Sequence, residues 1–160
     1  MTRTLVALVA VALWLGAALL TITVVAPGAF AVLPTRAMAG EMVGRVLPVV
    51  FAGALLVPAL VHGIAPAMRR SGLAVVVSLA SAVAASAALW VVNPRIAALR
   101  ATVVVPIDQL APADPRRALF GMLHAGSVAL LGLAMLCLAV LLVLLVRTVR
   151  LRAPSSGEAP

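Results

Sequence analysis

Four long stretches of this chain carry no charge: Thr4 to Thr35, Val46 to Met68, Ser71 to Pro94 and Ala118 to Val146. Each exceeds the roughly 20 apolar residues that a helix needs to cross the hydrocarbon core of a bilayer. Backbone groups surrounded by lipid must be satisfied internally, so the choice lies between helices and a closed barrel. Barrel strands alternate apolar and polar residues over about ten positions. A run such as Leu130 to Val146 shows no alternation, so the reading is all-α, a four-helix transmembrane bundle. Only 10% of the residues are charged against 65% apolar, too little polar surface to coat a soluble globule. The mean hydropathy of +1.26 agrees.

The prolines punctuate these spans. Helix one runs from about Thr4 to the region of Pro27, a candidate bend. Pro34 marks the turn into helix two, which starts near Thr35 with an interfacial segment carrying Arg36, Glu41 and Arg45. Pro48 and Pro58 fall inside helix two and predict kinks there, since proline removes a backbone donor. A tight turn, Ala65 to Arg70, leads to helix three. Its small residues (Ser78, Ser81, Ala84, Ala85 and Ala88) let neighbouring backbones approach closely and make it the expected most buried helix. Asn93-Pro94-Arg95 reads as its close, with Ile96 to Ala101 either extending it or lying on the membrane. Asp114 followed by Pro115 predicts the start of helix four, an N-cap with proline at the first helical position. Residues 1–152 form one domain in this reading, and 153–160 a disordered tail.

The N-terminus has the order of a secretory signal, Arg3, an apolar run, then Ala29-Phe30-Ala31. That run is longer than the 7–15 residues usual for a signal, so a retained helix is expected. All 12 basic residues are arginine and the net charge is +8. They gather at helix ends, where arginine snorkels to headgroups and water, so nucleic acid is not an expected partner. The single Cys137 admits no internal disulfide. With four spans, Arg3, Arg69, Arg70, Arg147, Arg150 and Arg152 share the side of the termini, and Arg36, Arg45, Arg95, Arg100, Arg116 and Arg117 the other. The positive-inside rule is thus a tie by count; the short, doubly basic Arg69-Arg70 hairpin tilts the expectation toward cytoplasmic termini of a multi-pass cell-membrane protein.

No Walker loop, GxSxG, HExxH or Cys-x-x-Cys is present, and no span contains Asp or Glu. This predicts no enzyme, no cofactor and no carboxylate-coupled pump. His124 lies about 10 Å along helix four from Arg117, a depth at which an ionisable group is a functional candidate. Asn93, Ser127, Arg95 and Arg100 stand on the same side, with Asn93 a candidate hydrogen-bond partner for His124 or Ser127. Trp14 sits mid-membrane, needs an acceptor for its indole N–H, and is expected to face the bundle. Met38, Met42, Met122 and His124 are soft donors suited to Cu(I), though methionine is also ordinary filler in apolar helices. His62 lies near the terminal side, too far from His124 for the two to share one haem iron. Val24-Val25-Ala26-Pro27 and Val91-Val92-Asn93-Pro94 share a Val-Val-x-Pro ending, the mark of a possible repeated hairpin.

Four segments, Trp14-Leu15-Gly16, Ala26-Pro27-Gly28-Ala29-Phe30, Asn93-Pro94-Arg95-Ile96-Ala97-Ala98-Leu99-Arg100 and Phe120-Gly121-Met122-Leu123-His124-Ala125-Gly126-Ser127, resemble the transmembrane protein 205-like family, of unknown biochemical function. The first helix has a looser likeness to copper-resistance membrane proteins of the D type. The main resemblance implies a compact four-helix membrane domain, with Trp14, Gly16, Pro27, Phe30, Asn93, Pro94, Arg95, His124 and Ser127 as signature positions. Two functions are expected: a module that binds or passes a small solute, metal ion or lipid through a polar pocket around His124, or an accessory subunit packed against a membrane-protein partner or a second copy of itself.

Overall fold

The computed structural model describes residues 2–151; the expected tail, 153–160, lies outside them. The chain makes four apolar helical spans of 31, 29, 30 and 36 residues. The first joins α1 (Thr2–Leu20), a π-helical turn (Thr21–Val25) and α2 (Ala26–Val32). The second is α3 (Arg36–Ile64), followed by the single turn α4 (Pro66–Arg69). The third joins α5 (Gly72–Ala87), another π turn (Ala88–Val92) and α6 (Asn93–Ala101). After a loop holding a 3-10 turn, Ile107–Gln109, the fourth is α7 (Pro115–Arg150). No strand occurs among the described residues. The shortest span, at 1.5 Å per residue, is about 43 Å long and outreaches a hydrocarbon core of about 30 Å.

Local chemistry sets the helix ends. Thr35 caps α3, its Oγ1 accepting from the Met38 N–H at 3.2 Å. Ser71 caps α5 by accepting from the Ala74 N–H at 3.3 Å. Asp114 caps α7 with Pro115 behind it, and its Oδ1 accepts from the Arg116 N–H at 2.8 Å. Each cap satisfies a donor that the first helical turn otherwise leaves orphaned.

The π turns have a common cause. Pro27 and Pro94 lack an N–H and would press on the carbonyl four residues back. Widening the preceding turn relieves both problems, so the Ala26 N–H reaches the Thr21 carbonyl and the Asn93 N–H reaches the Ala88 carbonyl, five residues back in each case. The expected close of the helix at Asn93-Pro94 is therefore corrected: the third span passes through it to Ala101, so of the two readings of Ile96 to Ala101 the extension of helix three holds. The shared Val-Val-x-Pro ending coincides with the same π turn at the same register in two spans. α3 stays α-helical through Pro48 and Pro58.

α1 packs against α3 and α7, and α5 packs against the same two, so the spans form a ring in chain order. The interior is small and the exterior large. Ala7, Ala18, Ala54, Ala74, Ala85, Ala88 and Ala134 are fully buried, around a core filled by Phe51, Val61, Leu138 and Leu141. Leu13, Val49, Val83 and Leu136 face outward, each about 70% exposed. Outward leucine and valine over close-packed alanine suit a lipid solvent, where van der Waals packing rather than hydrophobic burial joins helices. The fourth span, not the third, has the largest buried share, because α7 carries the leucines that fill the ring.

Candidate functional site

Pro58 shapes the face where α3 meets α5. Without a proline N–H, the Ala54 carbonyl loses its helical donor. The fully buried Ser81 supplies one, its hydroxyl donating to that carbonyl at 3.2 Å. About one turn nearer the terminal side, His62 Nε2 and Ser78 Oγ stand 2.9 Å apart. Ser78 is buried and His62 half-buried. Beside this pair runs a groove of about 330 Å³, walled by Leu55, Pro58, Val75 and Leu79. His62 and Ser78 supply its polar lining and the exposed Arg69 of α4 also borders it. Such a volume is at the small end of ligand sites, and a mostly apolar lining with a few convergent polar groups is the usual composition of one.

The His62–Ser78 bond works in either sense. With the proton on Nδ1, the serine hydroxyl donates to Nε2 and the Nδ1–H stays free. With the proton on Nε2, the ring donates and the hydroxyl proton stays free. Each arrangement leaves one neutral donor for a ligand acceptor.

At the opposite end, α6 returns Arg100 onto α3. Its Nη1 donates to the Gly40 carbonyl at 3.2 Å. The approach is close, since a Cβ at position 40 would lie 2.9 Å from Arg100 Nη2 and oblige the flexible guanidinium to shift. The guanidinium carbon stands 5.4 Å from the centre of the Phe120 ring, within cation–π range. Phe120 is in turn stacked with the His124 imidazole, their centres 6.2 Å apart and planes 7° from parallel. Of the sequence candidates, Arg100 and His124 are thus brought together, with Phe120 between them.

The others are dispersed. His124 itself is exposed, on the outer face of α7. Ser127 is buried and Arg95 exposed. The Asn93 side-chain nitrogen is covered and has no hydrogen-bond partner among the described residues, so it joins neither His124 nor Ser127. Trp14 faces the bundle as expected, its Nε1–H donating to the Val50 carbonyl at 2.9 Å, against α3 at mid-span. Met38, Met42 and Met122 are exposed. No group of three His, Cys, Asp or Glu residues placed to hold a metal occurs among the described residues. The sequence reading did not pair His62 with Ser78. The available signal was hairpin symmetry, since the two lie equally far on either side of Arg70.

Residues 9–104 match the family described as "Domain of unknown function (DUF4149)". The match contains the whole groove, Trp14 and Arg100, and ends before Phe120 and His124. No curated protein and no solved structure matches the chain.

Proposed function

The chain belongs to the DUF4149 family, and from that premise we propose that this multi-pass membrane protein is a non-enzymatic module that holds a small amphiphilic ligand in the groove between α3 and α5. The ligand's apolar part lies along Leu55, Pro58, Val75 and Leu79, and its polar end meets His62 and Ser78. The observation that carries this reading is the open apolar groove of about 330 Å³ with a hydrogen-bonded His–Ser pair in its lining. A pocket around His124 has less support, because its ring is stacked on Phe120 and otherwise exposed on the outer face of α7. The finer likeness to transmembrane protein 205-like proteins supports the four-span domain and adds no reaction.

The test is ligand retention. The protein extracted in mild detergent should carry an amphiphile visible by native mass spectrometry. Ala82→Phe, which fills the groove from α5, should remove that mass while the melting temperature of the detergent complex stays close to wild type. A folded Ala82→Phe protein that keeps the same bound mass would overturn the groove as the site.

A further inference from the structure

Acidic charge among the described residues is confined to one membrane side. Among the described residues all three carboxylates, Glu41, Asp108 and Asp114, belong to the side away from the termini. Two of them already bind arginines there: Glu41 Oε1 lies 2.6 Å from Arg45 Nη2, and Asp114 Oδ2 lies 2.6 Å from Arg116 Nη2. The terminal side instead presents Arg3, Arg69, Arg70, Arg147 and Arg150, and no described carboxylate stands there to neutralise them. One of these arginines, Arg69, borders the groove.

Depth adds a second constraint. His62 is two residues from the end of α3, about 3 Å along the helix axis, which places it near the boundary between acyl chains and headgroups. Passing outward, a groove occupant meets apolar walls, then one neutral donor from the His62–Ser78 pair, then the Arg69 cation. A glycerophospholipid presents the matching series: acyl chain, ester carbonyl, phosphate. A zwitterionic headgroup would bring its own ammonium to the side that carries the Arg69 cation, whereas an anionic headgroup is attracted by it.

We infer that the groove between α3 and α5 is a binding site for an anionic phospholipid of the leaflet on the terminal side, with Arg69 taking the phosphate and the His62–Ser78 pair an ester carbonyl. This rests on the ligand-binding reading of the same groove and specifies its occupant. Anionic lipids give cytoplasmic leaflets their negative surface potential, so the assignment accords with termini on the cytoplasmic side.

The experiment places the full chain in nanodiscs of equal parts phosphatidylglycerol and phosphatidylcholine, then counts retained lipids by native mass spectrometry after mild detergent release. Wild type should retain phosphatidylglycerol preferentially, and Arg69→Gln should cut that preference by about fivefold, the value of one basic residue near an anionic surface. Arg95→Gln, an exposed arginine on the other side, should leave it unchanged. Excess soluble glycerol phosphate should not displace the lipid; displacement would show that a free phosphate compound is the occupant and overturn the lipid assignment. Equal retention of the two lipids, with both lost in Ala82→Phe, would overturn the anionic selectivity and leave the groove reading standing. Retention unaffected by Ala82→Phe in a protein that still melts cooperatively would remove both. Arg69 is exposed on a single-turn helix, so its variant tests the inference without burdening the fold.

Discussion

Gly53 is the tightest side-chain constraint in the bundle. A Cβ there would fall 2.4 Å from Trp14 Cδ1 and 2.6 Å from Nε1. The indole must lie flat on a bare stretch of α3 to reach the Val50 carbonyl, so one glycine licenses both the packing and the hydrogen bond. Gly53→Ala should push the ring off α3 and lose that bond. The expected cost is about 1–3 kcal/mol, the usual range for overpacking a filled core, read as a lower melting temperature in detergent with a change in tryptophan emission. Gly16→Ala, where an added Cβ meets nothing within 4 Å, is the matched control and should be near neutral. At this scale half of each contact was legible beforehand. That Trp14 must find an acceptor follows from its N–H and its mid-span position. Which carbonyl accepts depends on a glycine 39 positions later, and no single-residue argument reaches that far. His62 is the same case: a histidine near a helix end reads as ordinary until the hairpin lays Ser78 beside it.

Element boundaries were legible where side-chain chemistry sets them. The starts at Thr35 and Asp114–Pro115 and the turn before Ser71 rest on caps and proline, both local effects. The Asp114 cap also carries a pH dependence. The Arg116 side chain, then its backbone N–H, hydrogen-bond the Asp114 carboxylate and hold its pKa below the ordinary value. A carboxyl lowered on folding contributes stability that is complete above its unfolded pKa and disappears as pH falls through the lowered folded one. Hydrogen exchange at the first amides of α7 should therefore stay protected at neutral pH, and lose protection only below the ordinary carboxylate range. Asp114→Ala should expose those amides at every pH; protection in that variant equal to wild type would show that the cap does not hold this end. The π turns were not legible, because helix reading assumes bonds four residues back, and a proline then looks like a stop. In α3 the opposite error threatens: Pro48 and Pro58 look disruptive, yet the helix continues through both, and a serine on the neighbouring span satisfies the carbonyl that Pro58 frees.

Across the whole molecule, the four spans follow from the spacing of charge alone, and so does the need for lipid or detergent, whereas their ring order comes from the packing. The expressed chain should sediment with membranes, resist carbonate extraction, and aggregate when detergent is diluted below its micelle concentration; a monodisperse chain in detergent-free supernatant would contradict the fold's outward leucine and valine surface. Burial of the fourth span, by contrast, needed the packing itself, since α5 has the small residues but α7 has the volume. The π turn of the first span also leaves a trace in its buried positions. They run Thr4, Ala7, Val11, Trp14, Ala18 and Thr21 at steps of three and four, then the next is Ala29 rather than Gly28. One surplus residue rotates everything after it by about 100° about the axis. A single helical wheel drawn through that span therefore misassigns its final two turns, and positions that look inward on such a drawing are the ones that touch lipid.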